Sequence, residues 1–110
     1  MSIIIKTLLN GLAVFATAYV VPGVEVTSFL VAVIVAIVLG VLNTLLKPIL
    51  VLLTLPINFL TLGLFTLVIN TGIIYLTSKI VDGFLIAGFL PALIFGIVLS
   101  IVNWFLSKLK

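Results

Sequence analysis

Cysteine, histidine and arginine are all absent from this chain, and its acidic residues number 2 in 110. Without cysteine there is no disulfide and no thiolate ligand, and without histidine the commonest metal ligand and proton carrier is missing. Glu25 and Asp82 are isolated carboxylates, and no serine or threonine has a histidine to activate it. We therefore expect no enzyme activity, no catalytic residue, no metal site and no cofactor.

Charge is the next scarce property, because only 6% of the residues are charged while 65% are hydrophobic. A soluble domain of this size has roughly a quarter of its residues charged. The composition therefore indicates that lipid is the solvent for most of the chain, and the lipid bilayer is the expected partner. The lysines are too thinly spread to bind the phosphates of a nucleic-acid backbone, so nucleic acid is not an expected partner. Other protein partners are unknown.

Apolar windows of about 20 residues predict transmembrane helices, because lipid offers no partner for unpaired backbone groups. Pro22-Gly23, Lys47-Pro48 and Asp82-Gly83 separate these windows. Ala16-Thr17-Ala18 resembles a signal-peptide cleavage site, but we expect the first window to be retained as a span. The expected fold class is an all-α integral membrane protein with one domain over residues 1–110. Its four windows run from Ile3 to Val21, Phe29 to Leu46, Leu62 to Val81 and Phe84 to Leu106.

The lysines predict the orientation of the chain, since positive residues are retained in the cytoplasm. Four spans place the charges in two groups at opposite sides of the membrane. One group contains most of the lysines, so we expect both termini to be cytoplasmic. It consists of Lys6, Lys47, Lys108 and Lys110, and the other group consists of Glu25, Lys79 and Asp82.

An internal repeat is visible at an offset of sixty residues. The stretch FLPALIFGIVLSIVN at 89–103 closely repeats FLVAVIVAIVLGVLN at 29–43, and positions 10–46 contain 13 identities with positions 70–106. Such a period indicates a duplicated helical hairpin, with coincidence between similar apolar helices as the alternative. We expect repeat 1 over about 3–47, a connector over about 48–62 and repeat 2 over about 63–107.

The connector, KPILVLLTLPINFLTLG from Lys47 to Gly63, is too apolar for an ordinary cytoplasmic loop. Pro48 and Pro56 interrupt it about two helical turns apart. We expect a re-entrant or interfacial segment that does not cross the membrane, and a kinked extension of the second helix is the alternative. Without a crossing, both repeats share one orientation and a pseudo-twofold axis lies along the membrane normal. The residues of interest are Lys47, Pro48, Pro56, Asn58, Thr61 and Gly63.

Small residues at intervals of four predict the helix-packing faces. In lipid, close approach of helix backbones supplies the packing energy, and asparagine amides supply hydrogen bonds between helices. Val35, between these small residues, is expected to face lipid. The asparagines serve either to hold the bundle together or to line a pathway or an oligomer seam. The predicted set is Ala32, Ala36, Gly40, Ala92, Gly96 and Ser100, with Asn10, Asn43, Asn70 and Asn103.

A motif in and around the connector resembles the four-transmembrane phage-holin-like family, of the holin superfamily IV type. The pattern is N-x-x-L-K/R-P, then L-P, T-x-G-L-F and N, and the resemblance covers essentially the whole chain. It implies a small protein of the bacterial inner membrane, and the role of most members of that family is unknown. The residues that carry it are Asn43, Leu46-Lys47-Pro48, Leu55-Pro56, Thr61-Leu62-Gly63-Leu64-Phe65, Asn70 and Gly88-Phe89.

Two classes of function remain from the sequence. The first is a self-associating, holin-like homo-oligomer that permeabilises the membrane or serves the cell envelope. The second is a small uncoupled transporter or lipid-handling protein, with an accessory or scaffold subunit as a further alternative. The spans contain no Asp, Glu, Arg or His at mid-membrane, which weighs against proton-coupled transport.

Overall fold

The computed structural model describes residues 2–61 and 63–108, except for the side chain of Asn58. Three helical stretches in these ranges are long and apolar enough to cross a membrane, namely Ile3–Val20, Phe29–Leu53 and Phe89–Lys108, and Phe65–Ile80 is a shorter apolar helix. The chain is thus a mostly helical membrane protein. The helices are α1 (Ile3–Val20), α2 (Phe29–Leu45), α3 (Lys47–Leu53), α4 (Leu55–Leu60), α5 (Phe65–Ile80) and α6 (Phe89–Lys108).

Serine caps begin the first two long helices. The Ser2 hydroxyl accepts a hydrogen bond from the Ile5 N–H, and the Ser28 hydroxyl accepts one from the Val31 N–H, each at 3.2 Å. These oxygens satisfy amides that have no partner within the first helical turn. Both boundaries agree with the sequence windows that begin at Ile3 and Phe29.

A two-stranded antiparallel sheet closes one end of the bundle. Its strands are β1 (Val24–Val26) and β2 (Phe84–Ile86), and Glu25 lies opposite Leu85. The prediction that the fourth membrane helix begins at Phe84 is therefore wrong, because α6 begins at Phe89. Apolar composition alone does not separate strand from helix here, since the exposed strand position Leu85 is as apolar as the buried Phe84.

Gly23 and Gly83 occupy matching places in the turns that lead from α1 and α5 into the strands. Their φ angles are 86° and 91°, a left-handed conformation that favours glycine. A Cβ at Gly23 would lie 2.8 Å from Cγ of Pro91, and one at Gly83 would lie 2.5 Å from Oγ1 of Thr27. Each glycine therefore lets one half of the chain approach the other half closely.

The core fills the space between the four long helices and beneath the sheet. Helix α1 contacts α2 and α6, and α5 contacts the same two helices. The ring centroids of Phe84 and Phe95 lie 5.5 Å apart. The buried Thr17 and Thr77 hydroxyls donate to the Ala13 and Ile73 carbonyls at 2.6 and 2.9 Å, so these hydroxyls need no water. The largest fully buried apolar side chains are those of Phe84, Phe95, Ile73, Ile74, Val14 and Val35.

The connector consists of the two short helices α3 and α4, which meet at Thr54. Pro48 and Pro56 are each the second residue of a helix, where a missing N–H costs little. Helix α3 continues α2 after a break at Leu46, so that Phe29–Leu53 is one apolar stretch of 25 residues. Helix α4, at six residues, is only about 9 Å long and well short of a membrane crossing. Most apolar side chains of α3 and α4 are exposed, with Leu53 at 73% and Phe59 at 81%.

Helix α5 begins at Phe65, after a turn in which Gly63 has a φ of 87°. Leu62, at which the third predicted window begins, lies outside the described residues, as does Lys110. The order of helix, strand and helix in residues 3–45 recurs in residues 65–108.

Candidate functional site at the lysine end

Charge is divided between the two ends of the bundle. The end opposite the sheet, called the lysine end below, carries Lys6, Lys47 and Lys108. The sheet end carries Lys79, Glu25 and Asp82, and the Lys79 ammonium lies 5.2 Å from the ring centroid of Tyr75. No group of three acidic side chains that would hold a metal ion occurs in the described ranges.

A groove of about 480 Å³ runs between α1 and α2 near the lysine end. We call it the first groove. Asn10 stands on its α1 wall, and the α2 residues Ala36 and Gly40 form much of its floor. The Thr44 hydroxyl donates to the Gly40 carbonyl at 2.7 Å, so this polar group is satisfied within its own helix. The full lining is Thr7, Asn10, Ala36, Ile37, Gly40, Val41, Thr44 and Leu45.

The second groove lies between α5 and α6 and has a volume of about 270 Å³. Five of its lining residues have a counterpart sixty positions earlier in the lining of the first groove, and the two side chains of each pair are identical or similar in size. For example, Asn70 corresponds to Asn10, and Gly96 corresponds to Ala36. Within it, the Asn70 side chain packs directly over Gly96. The lining is Leu67, Asn70, Leu93, Gly96, Ile97, Ser100 and Ile101.

The four asparagines all lie toward the lysine end of the bundle. Asn10 and Asn70 line different grooves. Asn10, Asn43 and Asn103 are exposed on the surface of the bundle, and Asn70 is partly buried. Three amides therefore face the surroundings of this chain instead of its interior.

A hydrogen bond joins Lys47 to Asn70. The Lys47 Nζ donates to the Asn70 Oδ1 at 3.3 Å in a partly buried position. This contact links the start of α3 to α5 and therefore ties the connector to the second half of the chain. Sequence reasoning missed this pair, although both residues belong to the motif described above.

The small-residue stripe is divided between the interior and the surface. Ala32, Ala92 and Gly96 are buried, Ala36 is partly buried, and Gly40 and Ser100 are exposed. A Cβ at Gly96 would lie 2.7 Å from the Asn70 Nδ2, whereas one at Gly40 would meet no atom of the described residues within 4 Å. The stripe therefore packs within the chain near the sheet and opens into the grooves near the lysines.

Helix geometry explains this division. Successive residues are about 100° apart, so positions at intervals of four drift by about 40° per step. Gly40 thus points about 80° away from Ala32. The buried face of α2 follows Ala32, Val35 and Leu39 instead. The expectation that Val35 faces lipid is wrong, because its side chain is completely buried.

Among the residues that the structure describes, the remaining connector residues line neither groove. The Thr61 hydroxyl donates to the Ile57 carbonyl at 3.0 Å and accepts from the Phe65 N–H at 3.3 Å, which links the end of α4 to the start of α5. The side chain of Asn58 lies outside what the structure describes. Pro56 contributes to an apolar hollow with Leu55, Phe59 and Leu60.

Comparison with known proteins agrees with this arrangement of apolar helices. A family model described as "Mycobacterial 4 TMS phage holin, superfamily IV" matches residues 1–105. The chain belongs to this holin family. The resemblance seen in the motif is thereby confirmed.

Two relatives illustrate the holin family. An uncharacterized protein of Streptomyces coelicolor is 36% identical over 114 residues, which cover 94% of this chain and 91% of the relative. The uncharacterized membrane protein YvlD of Bacillus subtilis is 33% identical over 105 residues, which cover 94% of this chain and 88% of YvlD. No solved structure gives a significant match.

Proposed function

We propose that this holin-family protein is a self-associating, non-enzymatic membrane protein whose copies pack against one another through the first groove. One observation carries the proposal: the Asn10 amide is exposed in a groove whose floor at Gly40 is open. The Asn10 amide needs a hydrogen-bond partner, and the open surface at Gly40 gives a second helix room to approach.

In a bilayer, either lipid tails or another protein segment must fill the first groove. Lipid tails fill space but do not hydrogen-bond an amide, and an unsatisfied polar group in hydrocarbon is costly. A second copy brings its own Asn10 across a twofold axis, so the two amides satisfy each other. An interhelical hydrogen bond of this kind contributes roughly 0.6–2 kcal/mol, and close packing over Gly40 adds to it.

Any polar passage made by this protein lies between copies. The space between the helices of one chain is occupied by apolar side chains such as Phe95, Ile73 and Val35. A water-filled path along that axis would require this core to separate. The polar amides lie on the outside, which favours assembly over transport through a single chain.

The architecture of the proposal is a duplicated hairpin with its pseudo-twofold axis along the membrane normal. The sheet supports it, because antiparallel pairing of Glu25 with Leu85 sets each strand against its counterpart sixty residues away. Two hydrogen bonds add further support: Thr27 N–H donates to Gly83 O at 3.1 Å, and Ala87 N–H donates to Gly23 O at 2.7 Å. The two bonds are equivalent, because Thr27 and Ala87 are sixty residues apart, and so are Gly23 and Gly83.

The proposed location is the bacterial inner membrane, with the lysine end and both termini in the cytoplasm. The excess of lysines at that end supports this orientation. The connector then lies along the cytoplasmic face of the bilayer without crossing it. Its short, exposed apolar helices support an interfacial position.

The substitution Gly40→Leu tests the proposed assembly. The leucine has open space in one chain, so folding should be unaffected, but it fills the groove that the second copy needs. We expect at least about a tenfold increase in the dissociation constant for self-association, a loss of about 1.4 kcal/mol. Energy transfer between differently labelled copies in liposomes, measured over a range of protein-to-lipid ratios, gives this constant.

Gly72→Leu is the matched control, because Gly72 is another helical glycine with open space but lies outside both grooves. It should associate like the wild type. Unchanged association of Gly40→Leu would contradict the proposal. Release of graded dyes from the same liposomes should fall with association if the passage lies between copies, and a monomer that releases no dye would favour the lipid-handling alternative.

A further inference from the structure

Lys47 is a cation that has no anionic partner among the residues that the structure describes. Its ammonium has three hydrogens to donate, and the Asn70 carbonyl oxygen, a neutral acceptor, takes one of them. The only two acidic side chains, Glu25 and Asp82, lie at the sheet end. Helix α2 separates the ends by 17 residues, or about 25 Å, so neither carboxylate reaches Lys47.

The position of Lys47 also places it where lipid headgroups lie. It begins α3, whose Ile49, Leu52 and Leu53 are 56%, 70% and 73% exposed and need lipid to cover them. Lys47 itself is only partly buried, and its hydrogen bond to Asn70 holds the ammonium in one place. A fixed, partly desolvated cation beside an exposed apolar surface matches a ligand with an anionic head and an apolar tail.

The other lysines of this end are placed differently. The Lys108 ammonium lies 5.2 Å from the centroid of the Trp104 ring on its own helix, and Lys6 is fully on the surface of α1. They raise the positive potential at the lysine end. Lys47 is the member of this group that is held by a second element.

We propose that Lys47, held by Asn70 beside the exposed face of α3, binds the phosphodiester of an anionic phospholipid. The phosphate oxygens accept the remaining Lys47 N–H groups as charge-assisted hydrogen bonds, and the acyl chains cover the apolar side chains of α3. This site goes beyond the proposed self-association, because it is complete in one chain and does not involve the first groove.

Native mass spectrometry of the purified protein tests the site, with phosphatidylglycerol and phosphatidylcholine offered in equal amounts. We expect wild type to retain phosphatidylglycerol preferentially, and Lys47→Met to reduce that preference about fivefold, the effect expected for one lysine near an anionic lipid surface. Lys47→Arg should keep the preference. Circular dichroism checks that Lys47→Met keeps the helical content of wild type.

Lys79→Met is the matched control, because it removes a lysine from the sheet end. An equal loss in both methionine variants would show that general charge is responsible and would overturn the proposal. Competition with glycerol 3-phosphate distinguishes the source of the phosphate. Displacement of the lipid by this soluble ester at similar concentration would overturn a lipid site, whereas retention supports it. Both readouts are taken on single chains, so they are independent of Gly40→Leu and of association.

Discussion

Gly96 shows how little space separates α5 from α6 at the second groove. A Cβ there would lie 2.7 Å from the Asn70 Nδ2 and 2.9 Å from the Ile74 Cδ1. The glycine therefore lets the Asn70 side chain lie flat between the helices, where its oxygen faces Lys47. Its counterpart Ala36 is partly buried, and Asn10 in the first groove is exposed.

Gly96→Leu should destabilise the fold by about 1–3 kcal/mol, because the larger side chain displaces Asn70 and Ile74. Steric-trap unfolding in bicelles measures this change. Gly72→Leu, which has open space on α5, should be nearly neutral. Equal stability of the two variants would mean that α5 and α6 do not pack closely at Gly96.

At the scale of elements, the two short strands join halves of the molecule that are otherwise held by helix packing. Val24 and Phe84 face the core, while Glu25 and Leu85 face outward. Strands of three residues are too short to be stable alone, so the helices must hold them in register. In return, the sheet covers the core at that end of the bundle.

Ala87→Pro tests the contribution of this sheet. Proline removes the N–H that donates to the Gly23 carbonyl at 2.7 Å, while the preceding Ile86 already has the extended backbone that proline favours. We expect a loss of about 1 kcal/mol or more in the free energy of unfolding. Ala87→Ser keeps the N–H and should behave like wild type in the same forced-unfolding measurement.

The whole molecule combines a nearly twofold backbone with an asymmetric distribution of polar groups. The counterpart of Lys47 sixty residues later is Ser107. The hydrogen bond from Lys47 to Asn70 therefore has no equivalent from a lysine to Asn10. The Asn70 amide is thus engaged within the chain, whereas the Asn10 amide in the first groove stays exposed. Self-association through this one face predicts a closed dimer instead of an extended array.

The proposed orientation is tested by cysteines at the two ends. Ser2→Cys and Ser107→Cys should be protected from an impermeant thiol reagent in intact cells, whereas Thr27→Cys should react, because the lysine end is retained in the cytoplasm. All three positions are exposed, so all should react after the cells are permeabilised. Reaction at both termini in intact cells would reverse the orientation.

Particular residues show how far sequence reasoning reached. The starts of α1 and α2 were predicted because apolar runs are local signals. The start of α6 was misplaced by five residues, since Phe84–Ile86 is apolar in either conformation. The burial of Val35 was missed because small residues at intervals of four suggested a face that rotates out of the core.

The sequence by itself determined that this protein lives in lipid, that its helices cross or line a membrane, and that it belongs to the holin family. Composition, apolar runs and a shared motif suffice for that, because they act within one helix or along one chain. Only the tertiary structure decided that β1 pairs with β2, that Lys47 meets Asn70, and that Gly40 faces outward while Gly96 faces inward. Those outcomes depend on how helices distant in sequence are rotated and set against one another, and the packing of the whole core determines that rotation.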